Sequence, residues 1–341
     1  MQVVQTLVGL LPVSVRSGRV VPLAAPTAGD RKVTWLELFF DLVFVAALSQ
    51  VGTRLAQHYS FHELGRFAFL LLLIWWAWHG YATYATRFDT DDGVERIGTL
   101  LQMVAVNFMA ANAEVGLDSV SFAGFAGAYA VMRFILVARY VRVSRRTGAR
   151  QMALEHAVGF GAAAIIWLLS SAAPVPVRYG LWAVALAIDL GTAVVTARHT
   201  LAVPPNAAHL PERFGLFTLI LLGEAIVAVM KGIQGQPEWS LAAASTALSG
   251  VLMVTAVWWA YFEGTRAAAH RRVTCRADCR KLSLWSAAHL PLYLGIALAG
   301  LGTEHAITGG GWQVLHGEEA WLLALALSLV VSSLTALGAA R

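Results

Sequence analysis

The chain has 341 residues, of which 58% are hydrophobic and only 13% are charged. A soluble domain carries about 25% charged residues, so this composition excludes an ordinary water-soluble fold. Together with a mean hydropathy of +0.63, it predicts a polytopic α-helical membrane protein.

Ten stretches are apolar enough to be transmembrane helices, because ~20 residues rising ~1.5 Å each cross ~30 Å of hydrocarbon. In chain order they cover residues 34–56, 66–87, 96–116, 119–141, 152–172, 178–200, 213–231, 240–263, 283–303 and 320–338. Turn-forming and charged residues separate them. We therefore expect an all-α membrane helix bundle over residues 34–338, with about ten transmembrane helices, preceded by a cytoplasmic N-terminal segment, residues 1–33.

The positions of the basic residues predict how the chain is oriented. Most arginines fall in the N-terminal segment, in the loop after the fourth stretch and in the loop after the eighth, whereas loops on the other side are nearly bare. Since Arg-rich loops stay in the cytoplasm, both termini are predicted to lie there. The formal net charge of +5 is thus explained by topology, and no nucleic-acid partner is expected. The Arg-rich loops are expected to contact anionic lipids.

Five charged residues inside the apolar stretches are candidate ion- or substrate-binding residues. They are Glu37 and Asp41 in the first stretch, Arg133 in the fourth, Asp189 in the sixth and Glu224 in the seventh. An ionisable group at mid-bilayer costs ~2.5–3.5 kcal/mol, so each needs a partner or a polar cavity. Glu37 and Asp41 are one turn apart on one face, and a cation such as Arg133 between them would keep both charged.

An internal repeat is suggested when the sequence is shifted by 183 residues. Asp41 then falls on Glu224, and the pair Trp75–Trp76 falls on Trp258–Trp259. The predicted repeat units cover residues 34–141 and 213–338, joined by residues 152–200. Six helices separate the two copies of the acid-bearing helix, so the copies would run in the same direction, as in a parallel transporter repeat.

Four stretches resemble the bacterial low temperature requirement protein A family. They read "WLELFFDLVFVAAL", "WWAWHGYATYATRFDTDD", "ERFGLFTLILLGEAIVAV" and "HLPLYLGIALAGLGTEHA", and lie in the expected order across residues 33 to 306. The resemblance implies a multi-spanning bacterial inner (plasma) membrane protein, associated by name with growth in the cold, without an assigned activity. Its acids would correspond to Glu37, Asp41 and Glu224. Phe214 stands where the family pattern suggests histidine, which weakens a histidine relay beside Glu224.

Three functional hypotheses remain open. In the first, Asp41 and Glu224 face a shared polar cavity and bind a proton or cation during transport. In the second, the buried acids form ion pairs in a membrane scaffold that transports nothing. In the third, an Asp-rich loop, Asp89, Asp91 and Asp92, holds Mg²⁺ against a lipid phosphate. No catalytic, metal-binding or cofactor motif is present in the sequence, so we expect neither an enzyme nor a bound cofactor.

Overall fold

The computed structural model describes residues 32–88, 92–113, 122–145, 148–236, 240–265, 271–309 and 318–340. Within these ranges the chain forms ten long helices, which confirms the predicted all-α bundle. They are α1 (Trp35–Gln57), α2 (Phe61–Arg87), α3 (Gly93–Ala113), α4 (Phe122–Ser144), α5 (Arg150–Ser170), α6 (Val177–Thr196), α7 (His209–Gln234), α8 (Leu241–Trp259), α9 (Arg276–Thr308) and α10 (Glu318–Ala339).

Eight of these ten helices, all except α2 and α3, are long and apolar enough to cross a membrane by length and composition. Several helices begin before their apolar stretches, and the difference is largest for α2 and α9. The side chain of Ser60 accepts a hydrogen bond from the backbone of Glu63 and so starts α2 at Phe61. Asp278 accepts one from the backbone of Cys275 at the start of α9. Such caps satisfy first-turn N–H groups that have no partner within the helix.

The start of α1 explains the position of Glu37. Thr34 and Glu37 form a capping box: the Glu37 N–H donates to Thr34 Oγ1 (3.2 Å), and the Thr34 N–H donates to Glu37 Oε2 (2.9 Å). A carboxylate in the first turn also interacts favourably with the helix dipole. Local sequence therefore holds this carboxylate in place before any tertiary contact is made.

The helices form two bundles, one of α3 to α6 and one of α7 to α10, which are bridged by the helical hairpin α1–α2. Helices α3 to α6 pack against one another in chain order, and α9 packs on α7, α8 and α10. Helix α1 contacts both α3 and α7, and α2 contacts both α4 and α7. Helix α9 passes close to the backbone of α10 at Gly295, where a Cβ would lie 2.9 Å from the backbone oxygen of Ala326. Small residues allow such contacts between helices in a membrane.

Polar contacts bring the basic ends of the helices together. The Asn206 N–H, just before α7, donates to the Thr86 oxygen at the end of α2 (2.9 Å). Arg198, just after α6, pairs with Glu155 near the start of α5 (2.6 Å). We call this the basic end of the molecule, and the other the opposite end. Residues 1–31 and the side chains of Glu318 and Glu319 lie outside the described part, and the internal repeat stays a prediction.

Candidate functional site

A buried cluster of charged side chains lies where α1 meets α7 near the basic end. The Arg213 guanidinium donates from Nε to Asp41 Oδ2 (3.0 Å) and from Nη2 to Asp41 Oδ1 (2.5 Å). Its Nη1 lies 3.3 Å from Glu37 Oε1. The Trp78 indole N–H donates to Asp41 Oδ1 (2.6 Å), and His209 Nε2 lies 3.3 Å from Glu37 Oε2. We call these five residues the Arg213 cluster.

The Arg213 cluster corrects one sequence expectation. The cation between Glu37 and Asp41 is Arg213, not Arg133. His209 and Arg213 are four residues apart on α7, as Glu37 and Asp41 are on α1, so the two helices run side by side in the same direction and pair turn by turn. Asp41 and Arg213 are both 0% exposed, so each charge depends on the other.

Arg133 and Asp189 form a separate buried pair within the α3–α6 bundle. Arg133 Nη2 lies 2.9 Å from Asp189 Oδ2, and the same nitrogen donates to the Tyr129 hydroxyl (2.7 Å). The guanidinium also lies 5.1 Å from the ring centroids of Tyr129 and Phe160. The pair therefore joins α4 to α6, and these two candidate residues contact each other but not the Arg213 cluster.

A third buried pair links α3 to α4. Arg139 Nη1 lies 3.2 Å from Glu95 Oε1. The Tyr81 ring lies between two arginines, with the guanidinium carbon 4.5 Å away for Arg139 and 5.7 Å away for Arg213. Tyr81 therefore separates two buried cations with one aromatic ring, an arrangement favoured by the ring quadrupole. This pair was not predicted from the sequence, because both residues lie near the ends of apolar stretches.

Asp92, the described acid of the Asp-rich loop, caps α3. Its Oδ1 accepts the Glu95 backbone N–H (3.0 Å), and its carboxylate pairs with Arg142. Partial burial opposes the charged form, but the hydrogen bonds from Arg142 and from the backbone prevail and lower the pKa of Asp92. Asp89 and Asp91 lie outside the described residues. The contacts of Asp92 are those of a helix cap.

Glu224 lies away from Asp41, in a cavity toward the opposite end. This cavity has a volume of about 100 Å³ and is formed by α1, α2, α7 and α9. Glu224 and Glu304 line it together with Lys231, Ser49 and Thr53. Asp41 does not line this cavity, so the structure does not place Asp41 and Glu224 in one shared cavity. In the described part of the chain, neither Glu224 nor Glu304 forms an ion pair.

A larger cavity, of about 500 Å³, lies near the basic end between the two bundles. Helix α2 contributes Trp75, Trp76 and Arg87, and α6 and α9 form parts of the facing walls, with Thr196 and Ser286 among the lining residues. In the sequence, Trp75 and Trp76 stood out only as part of the suggested internal repeat. The cavity lies between helices α2, α6 and α9, which are distant in sequence.

Buried rings fill the space between these two cavities. Trp78 lies 4.4 Å from Phe217, Phe214 lies 4.5 Å from His289, and Phe217 lies 4.9 Å from Tyr293, measured between ring centroids. All five side chains are 0% exposed. We call them the aromatic layer. On α9 it lies between residues 282–287, which line the larger cavity, and residues 297–304, which line the smaller one.

Comparison with known proteins agrees with the resemblance seen in the sequence. A family model described as bacterial low temperature requirement A protein matches residues 32–341. An uncharacterized protein of Rhizobium meliloti (strain 1021) is 27% identical over 299 residues, which cover 81% of this chain and 70% of that protein. No solved structure matches the chain.

Proposed function

The chain belongs to the bacterial low temperature requirement A protein family, and we propose that it moves a solute across the membrane in a proton- or cation-linked manner, without catalysing a reaction on that solute. It is a membrane protein with eight candidate spans among its described helices. The observation that carries the proposal is the pair of cavities on either side of the aromatic layer.

The spacing of the two cavities supports transport by alternating opening. On α9 the nearest lining residues of the two cavities, Ala287 and Ala297, are ten positions apart, which corresponds to roughly 15 Å along the helix axis. A closed layer of that thickness blocks continuous passage, while each cavity brings polar groups to one side of it. Rearrangement of one bundle against the other is a common way for transporters to move such a layer.

The smaller cavity is the proposed site of the coupling ion. Its two carboxylates, Glu224 and Glu304, form no ion pair among the described residues, unlike Asp41 and Asp189. A volume of about 100 Å³ holds several waters, since one needs roughly 10–15 Å³ by this measure. The Lys231 ammonium acts on Glu304 through space without forming a close ion pair. A carboxylate that is not held in a close ion pair can take up a proton or an alkali cation and release it again.

We propose further that the protein lies in the bacterial inner membrane with both termini in the cytoplasm. The concentration of arginine at the basic end supports this orientation. Described examples are Arg142, Arg145, Arg150, Arg272 and Arg276. Under this proposal the larger cavity lies toward the cytoplasm, and the arginines contact anionic lipid headgroups.

The test is ion flux in proteoliposomes that contain the purified protein. Proton, Na⁺ and K⁺ fluxes are measured for the wild type, Glu224→Gln and Glu304→Gln, with Glu155→Gln as the control because Glu155 pairs with Arg198 outside both cavities. We expect ion flux in the wild type and the control, and loss of flux in one or both cavity variants with unchanged melting temperature. If no ion moves through any folded sample, ion-linked transport is refuted.

A non-transporting scaffold is the second candidate, favoured by one specific observation. Glu37, Asp41 and Asp189 are all held in buried ion pairs, as expected if these acids join helices. Under this hypothesis Glu224→Gln and Glu304→Gln would change neither flux nor stability, while Asp41→Asn would lower stability. The flux measurement therefore separates the two functions.

A further inference from the structure

We propose that the larger cavity binds an anionic amphiphile, a molecule whose acidic headgroup is held by Arg87 and whose apolar body lies against Trp75 and Trp76. This inference goes beyond transport. It concerns equilibrium binding and would hold for a transported solute, a regulatory lipid or a structural lipid.

Arg87 differs from four other buried arginines of the described residues in having no carboxylate partner. It is 8% exposed, yet no carboxylate of the described residues pairs with it, and its polar contacts are the hydroxyls of Thr200 (3.3 Å) and Tyr140. Four other buried arginines each have a carboxylate oxygen within 3.3 Å; they are Arg66, Arg133, Arg139 and Arg213. A buried cation without a counter-charge is unfavourable, so Arg87 calls for an anion from outside the chain.

The lining of the cavity has an excess of hydrogen-bond donors. Arg87 Nε, Trp75 Nε1 and Trp76 Nε1 are buried and have no hydrogen-bond partner, and all three side chains line this cavity. The lining contains no aspartate or glutamate. Since a buried donor is costly to leave unpaired, a ligand that offers acceptor oxygens fits this lining, and a cation does not.

The dimensions of the cavity favour a molecule longer than a bare headgroup. Trp75 and Arg87 are twelve residues apart on α2, or roughly 18 Å along the axis. The volume of about 500 Å³ falls in the ~300–1,000 Å³ range of small-molecule sites. Leu190 and Val194 line the cavity on α6 and are 39% and 75% exposed. Because α6 is a candidate span, this side of the cavity faces the hydrocarbon of the bilayer. A lipid could enter the cavity through that side.

The first test measures stability without ligand. Full-length Arg87→Gln and Arg133→Gln are compared with the wild type after exchange into a neutral detergent. We expect the melting temperature of Arg87→Gln to equal or exceed that of the wild type, because an unpaired buried charge is removed. Arg133→Gln should lower it, because Asp189 loses its partner. A comparable fall in Arg87→Gln would mean that the protein itself supplies the counter-charge, and would overturn the proposal.

The second test measures the binding of lipid and acid probes to the wild type, Arg87→Gln and two further variants in the same detergent. The probes are phosphatidylglycerol, phosphatidylcholine as the neutral lipid, and 4-phenylbutyrate as a water-soluble acid with an apolar body. We expect Arg87→Gln to weaken binding of the acidic probe at least tenfold and Ala193→Trp, which fills the cavity, to abolish it. Arg198→Gln, an exposed arginine at the same end, should bind as the wild type does.

The probes also separate the two sources of an anionic amphiphile. Binding of phosphatidylglycerol that depends on Arg87 supports a ligand from the bilayer. Binding of 4-phenylbutyrate alone supports a solute from water, with the same headgroup chemistry. Equal binding of phosphatidylcholine and phosphatidylglycerol, or acidic-probe binding unchanged in Arg87→Gln, would refute the assignment even if ion flux had been demonstrated.

Discussion

Replacing Asp41 by asparagine should destabilise the protein strongly, because Arg213 would lose its main counter-charge. Asp41 accepts two hydrogen bonds from Arg213, at 3.0 and 2.5 Å, and one from Trp78 at 2.6 Å. Breaking a fully buried ion pair by removing one partner costs ~3–5 kcal/mol. Asparagine retains one acceptor oxygen, and Glu37 still lies 3.3 Å from the guanidinium, so we expect a loss of about 3 kcal/mol, at the lower end of that range.

The assay is reversible unfolding of the purified protein in mixed micelles, followed by circular dichroism. Arg213→Gln should be at least as destabilising as Asp41→Asn, because it leaves Glu37 and Asp41 facing each other without a cation. The double variant, Asp41→Asn with Arg213→Gln, should lose less stability than the two single losses added together. The difference should exceed the ~0.5 kcal/mol within which the effects of independent sites add. Glu155→Gln, in a surface pair, should behave as the wild type. A loss below about 1 kcal/mol, the range of exposed pairs, or strictly additive single losses, would refute this account of the Arg213 cluster.

Three further predictions follow from packing and charge. Arg133→Met alone should lower the free energy of unfolding by ~3–5 kcal/mol, because Asp189 stays buried without a partner. Arg133→Met combined with Asp189→Leu should leave that free energy nearly unchanged, since neither charge of the pair then remains. Chemical unfolding measures both values. Gly295→Ala should cost ~1–3 kcal/mol through overpacking, because its Cβ would meet the next helix at 2.9 Å. The matched Gly191→Ala, where nothing lies within 4 Å of the added Cβ, should gain about 0.5–1 kcal/mol. Equal stability of the two variants, or a Gly295→Ala variant more stable than Gly191→Ala, would contradict the packing. Because the pKa of Asp92 is lowered in the folded protein, its ionised form adds stability that is fully present above the unfolded pKa of about 3.9 and is lost as pH falls through the folded pKa. Asp92→Asn should therefore melt below the wild type at pH 7, and the gap should narrow as pH falls below about 3.9. A gap that stays constant as the pH is lowered would count against the ion pair.

The sequence was sufficient to predict that the charges inside apolar stretches need partners, but not which partners they have. Arg213 is at the first residue of its predicted stretch, where a charge is expected near the interface. The structure extends α7 back to His209 and brings Arg213 beside Asp41. The matched spacing of His209 and Arg213 with Glu37 and Asp41 was present in the sequence, yet many basic residues share that spacing. Choosing the right one requires knowing that α1 and α7 are neighbours.

Glu224 illustrates the same difference. Its place in an apolar helix, as a match for Asp41 at a shift of 183 residues, suggested equivalent roles. In the structure Asp41 is 0% exposed and paired, whereas Glu224 is half-buried and lines a cavity. Sequence similarity between two acids does not determine their surroundings, because those depend on the neighbouring helices.

The sequence by itself determined that this is a membrane bundle of about ten helices, where most of them begin and end, and which charges lie inside. These properties follow from local hydropathy, helix length and capping, which each segment has before it meets another. Only the tertiary structure decided that Arg213 neutralises Asp41, that Glu224 shares a cavity with Glu304, and that Arg87 has no carboxylate partner among the described residues. Those outcomes depend on which helix faces pack together, since a buried charge is stabilised by whatever contacts brings near it.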